Sequence, residues 1–189
     1  MKLKLLKFKC VKSTNDIAHK LINEKKNKPT IIISEKQTQG RGTMGKKWVS
    51  KKGNLFLTIF FEMGKKRVDF REFAVLNAYL FKNILIKKFS NKIKIKWPND
   101  LLFEKKKICG ILQETVVNAG KKYLIVGIGI NTNFEPKNSS FSSTSLKQIV
   151  NKNIDNKKLF TMIKIIYEKF LFRAKYSSFS ELKKFTKKL

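Results

Sequence analysis

The chain has 189 residues, 42% of them apolar, and a net charge of +30 from 43 Lys and Arg against 13 Asp and Glu. That apolar content supports one packed domain and excludes a disordered chain. No apolar run approaches the roughly 18 residues a membrane span needs, and the lysines at positions 2, 4 and 7 break up any signal-peptide core.

Arg41, Arg67, Arg71 and Arg173 are the only arginines, so the charge is lysine spread along the whole chain, beside abundant Asn and Ile. That is a compositional bias. A nucleic-acid face recruits Arg for forked contacts to bases and phosphates, and no such concentration exists here. The charge still favours polyanionic ligands and acidic partners. Cys10 and Cys109 lie far apart with no metal-ligand spacing, which reads as reduced thiols filling apolar space in a cytosolic protein.

In chain order, Lys2 to Val11 reads as a strand ending at Lys12-Ser13-Thr14-Asn15. A helix follows with Ile17, Ala18, Leu21 and Ile22 on one face. His19 falls on this helix as an ordinary surface or boundary residue. Thr30 to Ser34 is a β-branched buried strand, Gln37 to Lys47 a glycine-punctuated loop, and Asn54 to Glu62 an apolar strand. Arg67 to Phe89 carries helical periodicity. Lys92 to Trp97 alternates Lys and Ile as a half-buried strand that Pro98 ends. Leu101 to Phe103 and Ile108 to Val117 form a hairpin turning at Glu104 to Lys106. Tyr123 to Asn131 is another strand, and Thr132 to Ser145 a Ser/Asn-rich loop. Asn156 to Lys175 and Phe179 to Lys188 are helices. Interleaved helices and hairpins predict an α+β, or mixed α/β, domain: a central mixed sheet flanked by helices.

Four segments are poor choices for structure alone. In Gln37-Thr38-Gln39-Gly40-Arg41-Gly42-Thr43-Met44-Gly45-Lys46-Lys47-Trp48, three glycines permit close backbone approach to a ligand. Exposed amides beside Arg41, Lys46 and Lys47 suit an anionic phosphate. The spacing is not that of a Walker A loop, and the strand that follows excludes a dinucleotide fingerprint. In Lys96-Trp97-Pro98-Asn99-Asp100 a strand reaches a corner and presents an amide and a carboxylate, which a plain turn would also do. In Lys107-Ile108-Cys109-Gly110-Ile111-Leu112 a lysine opens an apolar strand. The glycine inside it marks a bulge or a closely approaching group. Position alone does not separate Lys107 from Lys105 or Lys106. In Val126-Gly127-Ile128-Gly129-Ile130-Asn131, alternation puts Gly127, Gly129 and Asn131 on one face, flat enough for a planar ring.

Together, in this order and with Ser13-Thr14-Asn15 before them, these segments resemble the biotin protein ligase family across roughly Lys12 to Asn133. The resemblance implies the biotin/lipoate ligase catalytic domain, related to the class II aminoacyl-tRNA synthetase fold. It implies an ATP-dependent ligase that forms biotinyl-adenylate and transfers biotin to a lysine. Under it Ser13, Thr14, Asn15 and Gln37 hold biotin, with Arg41, Gly42, Thr43, Lys107 and Gly110. Arg41, Lys46, Trp48, Lys96, Asn99 and Asn131 serve ATP and the adenylate, and Lys107, Arg41 and Asp100 are the catalytic set. Hydroxyls and an amide suit a ureido ring, which needs donors and acceptors at once. For Ser13 and Thr14, capping of the following helix is an alternative or additional role.

The resemblance also implies ATP with Mg²⁺, no protein metal site, and the biotin carboxyl carrier domain of acetyl-CoA carboxylase or a related carboxylase as partner. It is compatible with a homodimer. Thr43 departs from it, standing where the family usually has a second arginine. We further expect one domain over 1–189, with no helix-turn-helix before Ser13 and hence no specific DNA. From the helical pattern after Asn156 we also expect the family's small C-terminal β-barrel to be absent. A lipoate or octanoate ligase or transferase shares the fold but has no use for the ureido-matching polar groups. A basic nucleic-acid-binding protein without catalysis is the alternative of another class.

Overall fold

The computed structural model describes residues 1–64, 68–136 and 142–188. The expected helix start at Arg67 and positions 137–141 of the expected loop lie outside them. The described residues form β1 (Lys4–Phe8), α1 (Thr14–Asn23), β2 (Thr30–Ser34), β3 (Leu55–Glu62), α2 (Phe70–Lys88), β4 (Ile93–Lys96), β5 (Asp100–Phe103), β6 (Lys106–Asn118), β7 (Lys121–Ile130), α3 (Leu146–Val150), α4 (Asn156–Ala174) and α5 (Phe179–Lys188). Among them is one seven-stranded sheet ordered β1-β2-β3-β7-β6-β5-β4. Only β1 and β2 run parallel; the other neighbours are antiparallel. This is the mixed, helix-flanked sheet that the alternation of elements predicts.

Strand alternation sends successive side chains to opposite faces. On one face Leu55, Leu57, Ile59 and Phe61 of β3 and Leu124, Val126, Ile128 and Ile130 of β7 join Phe73, Leu80, Phe81 and Tyr167 in the main core, beneath α2 and α4. On the other, Ile32, Phe60, Tyr123 and Ile125 pack under Ala18 and Ile22 of α1. Helix α1 covers only part of this second face, and the uncovered remainder holds the pocket described below.

The termini of the elements follow their local chemistry. Asp69 and Glu72 form a reciprocal capping box at the start of α2. Asp155 caps α4 by accepting from Lys157 N and Lys158 N. The β5–β6 hairpin turns on Glu104 and Lys105, both at positive φ (47° and 66°), as a two-residue turn matched to strand twist requires. The one helix not expected is α3, a short turn that begins where the expected Ser/Asn-rich loop ends and is capped by its last residue, Ser145. It is too short to show periodicity.

A buried polar chain ties the sheet to the helices above it. Tyr167 Oη donates to Asn77 Oδ1 at 2.9 Å, Asn77 Nδ2 to Gln113 Oε1 at 2.7 Å, and Gln113 Nε2 to the Phe70 carbonyl at 3.0 Å. Burial pushes the Tyr167 phenol far above its ordinary range, so it stays a donor. Asn77→Ala strands the Tyr167 hydroxyl and one end of Gln113 in the core and opens a void. We expect a loss of about 2–4 kcal/mol in urea-unfolding stability, against about 1 kcal/mol for Tyr167→Phe.

Candidate active site

The strand leading from β1 into α1 bonds the start of the glycine-rich loop. Thr38 N and Gln39 N donate to the carbonyls of Val11 and Lys12 at 2.9 and 2.8 Å. This puts Gln37 beside the first turn of α1. Thr14 N and Thr14 Oγ1 both donate to Gln37 Oε1, at 2.8 and 3.0 Å. Gln37 Nε2 donates to Ser50 Oγ at 2.9 Å, and Ser50 Oγ to the Trp48 carbonyl at 3.1 Å. Thr58, from β3, donates to Asn15 Oδ1 at 2.6 Å and lies 2.8 Å from Thr14 Oγ1. Asn15 Nδ2 in turn donates to Glu114 of β6 at 2.6 Å. Ser13 occupies the N-cap position of α1 but its side chain makes no cap bond; its hydroxyl borders the pocket.

Between Gln37 and Trp48 the loop folds as a narrow hairpin. Trp48 N donates to the Gly40 carbonyl at 2.8 Å and Gly42 N to the Lys46 carbonyl at 2.7 Å. Those two amides are taken up by the loop's own hydrogen bonds. Met44 and Gly45 turn at positive φ. Arg41 reaches down to the sheet and lines the pocket with Gly42 and Thr43.

The glycine face of β7 does carry a planar ring, and it is the chain's own. A Cβ on Gly129 would run into the Trp48 indole, and one on Gly110 of β6 would stand 2.7 Å from it. A Cβ on Gly127 would strike the Asn15 amide. These glycines are the clearance that lets Trp48 and Asn15 lie flat on the sheet.

Lys107 enters the pocket because β6 carries a bulge. Leu101 pairs with Cys109 but Leu102 with Lys107, leaving Ile108 as an extra residue. Ile108 and Cys109 both point into the main core. Without the extra residue Lys107, three positions before Gly110, would face away from it; with it, both face the pocket. Lys107 Nζ lies 2.7 Å from Asp100 Oδ1, the two side chains 16% and 18% exposed, and 5.2 Å above the Trp48 ring. Lys105 and Lys106 are exposed on the turn, which separates the three lysines. Asn99 borders the pocket and is held by Nδ2 donating to the Ile111 carbonyl at 3.0 Å.

The pocket thus gathers Ser13, Thr14, Asn15, Gln37, Arg41, Gly42, Thr43, Trp48, Asn99, Asp100, Lys107 and Gly110. It does not gather Lys46, Lys96 or Asn131. The first two are exposed. Asn131 is buried at the end of β7, its Nδ2 donating to the carbonyls of Lys107 and Thr144 at 3.3 and 3.2 Å. His19 is the half-buried boundary residue expected, with its Nε2 3.5 Å from Glu114. Glu114, Thr58 and Ser50 escape sequence reasoning altogether. Each reads as an ordinary strand or loop residue; strand pairing brings Thr58 and Glu114 to the site, and hydrogen bonds to Gln37 and the Trp48 carbonyl bring Ser50. Among the described residues no cluster of three or more His, Cys, Asp or Glu is placed to hold a metal, and no helix is long and apolar enough to cross a membrane.

Residues 7–131, which include every residue of this pocket, match the model of the biotin/lipoate A/B protein ligase family. The chain belongs to that family. It is 31% identical over 163 residues to the bifunctional ligase/repressor BirA of Bacillus subtilis (strain 168), spanning 83% of this chain and 50% of the relative. It is 32% identical over 123 residues to BirA of Escherichia coli (strain K12), spanning 64% and 38%. The chain therefore covers half or less of these curated relatives. Its fold superposes on the biotin protein ligase of Aquifex aeolicus in complex with biotin and ATP with a TM-score of 0.80 and 29% identity, over 97% of this chain and 76% of that one.

Two outcomes follow from this geometry. Cys109 is fully buried and desolvation drives its thiol far above the ordinary range, whereas Cys10 is exposed. A chromogenic disulfide reagent should titrate one thiol in the folded protein and two in denaturant. In a Trp97→Phe background, Gly129→Ala should lift Trp48 from the sheet, seen as stronger acrylamide quenching of its fluorescence.

Proposed function

We propose that this protein is a biotin protein ligase acting on the biotin carboxyl carrier domain of acetyl-CoA carboxylase or a related carboxylase, in the cytoplasm. The observation that carries the reading is the composition of one pocket. Hydroxyls and an amide (Ser13, Thr14, Gln37) line the same pocket as a cation, Lys107, and the glycines that seat Trp48 and Asn15. Its support is the likeness to the biotin- and ATP-bound Aquifex enzyme.

In the first step a biotin carboxylate oxygen attacks the α-phosphorus of ATP. The bond to the β-phosphate oxygen breaks, pyrophosphate leaves, and biotinyl-adenylate forms. In the second, a neutral carrier lysine amine attacks the carbonyl of that mixed anhydride. An amide forms, AMP leaves, and the amine's proton passes to solvent.

Ser13, Thr14 and Gln37 match the ureido carbonyl and N–H groups. Gln37 retains one amide proton beyond its bond to Ser50. Asn15 lies over Gly127 and closes the pocket floor. Lys107 sits between carboxylate and α-phosphate, steadied by Asp100, where its charge opposes the negative charge that grows on the phosphorus oxygens. Arg41, Gly42 and Thr43 cover the ligand, Trp48 shields the anhydride from water, and Asn99 stands on the adenine side. Lys46 and Lys96 contribute positive potential at longer range, and Asn131 acts through the Lys107 backbone.

Asp100, Glu114 and Asp16 are already paired with Lys107 and Arg41. These residues would leave Mg²⁺ to enter with ATP, where it would offset the charge of the triphosphate. We assign no nucleic-acid target. A homodimer is compatible with the reading but no role depends on it.

The test is incubation with radiolabelled biotin, Mg-ATP and a biotin carrier domain, reading label on the carrier and pyrophosphate release. Labelling should require ATP and fall about 10²-fold or more in Lys107→Ala. The polar lining predicts no comparable labelling of a lipoyl domain with lipoate or octanoate. A folded protein with no biotin- and ATP-dependent signal would overturn the proposal.

A further inference from the structure

Three groups, one from the glycine-rich loop and two from α1, converge on one carboxylate of β6. Arg41 Nη1 and Nη2 donate to Glu114 Oε1 and Oε2 at 2.9 and 3.0 Å, a forked pair. Asn15 Nδ2 donates to Oε2 at 2.6 Å, and His19 Nε2 stands 3.5 Å from the same oxygen. Arg41 Nη2 also lies 3.0 Å from Asp16 Oδ1. The Glu114 side chain is 22% exposed, and a carboxylate this covered persists only when its lone pairs are satisfied.

Arg41 sits between Gly40 and Gly42 in a loop whose ends are tied by Gln37 and Trp48. Thr38 N and Gln39 N bond the strand before α1, and from Gly40 to Trp48 the backbone bonds are internal to the loop, such as Gly42 N to the Lys46 carbonyl. What joins the loop's centre to the sheet is the forked pair. A guanidinium can hold both oxygens of one carboxylate; an ammonium cannot.

We propose that Glu114 is a positioning residue. It holds Arg41, and through Arg41 the Gly40–Trp48 loop, closed on the pocket before any ligand is bound. In the ligase reading, on which this second part rests, the same closure retains the adenylate until the carrier lysine arrives.

The full-length chain without ligand should be treated with trypsin and the initial cleavage rates after Lys46 and Lys47 measured. Glu114→Gln, nearly the same shape without the charge, should be cut there roughly tenfold faster at low salt. The wild type should approach that rate as NaCl rises and screens the exposed side of the pair. Glu114→Asp, which keeps the charge, should restore most of the protection. Arg41→Gln should match Glu114→Gln, and the double variant should be no faster than either, because the two act as one unit. Cleavage at Lys105 and Lys106, on the separate β5–β6 turn, should stay constant throughout. Equal rates in wild type and Glu114→Gln, additive effects in the double variant, or a parallel rise at Lys105 and Lys106 would each overturn the proposal. The second readout is the fraction of biotinyl-adenylate that survives gel filtration, expected to fall several-fold in Glu114→Gln. If the cleavage pattern holds while the wild type makes no adenylate, the ligase reading fails and the loop anchor stands. If adenylate forms and is retained equally in both, with equal cleavage, the anchor fails and the ligase reading stands.

Discussion

A strand can present only alternate residues to a face, and this site needs Lys107, Gly110 and Glu114 on the same one. Regular alternation satisfies the last two and excludes the first. The extra residue Ile108 resolves the conflict locally, sending two successive side chains into the core and turning Lys107 outward. The Lys107–Asp100 pair depends on that irregularity. With Lys107 turned inward, Asp100 would face the pocket without its cation, and the core would have to bury an ammonium group at a cost of several kcal/mol.

Around this point the site is built from clearance as much as from contact. Gly110, Gly127 and Gly129 contribute no side chains, and their value is the space that Trp48 and Asn15 occupy. The polar residues of α1's first turn are positioned by one another and by the loop, through Thr14 to Gln37 and Gln37 to Ser50. Glycine-rich loop, helix terminus and sheet thus form one hydrogen-bonded unit, in which Ser50 joins the two ends of the loop and Arg41 pairs with Glu114 on the sheet.

The parts of this design that sequence reasoning reaches are those with local signatures. The apolar run of β3, the alternation of β7, the β5–β6 turn and the glycine-marked loop are written in neighbouring residues, and the structure follows them closely. β1 is shorter than its apolar pattern suggests, running only from Lys4 to Phe8, and β6 starts two residues earlier, at Lys106. What stays hidden is whatever rests on pairing at long range. Glu114 meets Arg41 across 73 residues and Asn15 across 99, so nothing around Glu114 distinguishes it from any polar residue on a half-exposed strand. Asn131 fails in the opposite way. Alternation assigns it to the glycine face, but β7 ends at Ile130, and beyond the strand the alternation no longer governs where a side chain points.

Gln113 and Glu114 are neighbours on β6 whose side chains leave it in opposite directions, one to Asn77 beneath α2 and the other to Arg41 above the pocket. A single peptide unit therefore belongs to two networks that share no other atom. Repacking around Tyr167 that rotates this unit by even a few degrees would be felt at the loop, with no altered residue near it. Sequence drift in the interior of this domain is consequently restricted by the chemistry on its surface. Relatives that differ at Asn77 or Tyr167 should carry compensating differences around Arg41, recoverable as paired substitutions between sites on opposite sides of the sheet.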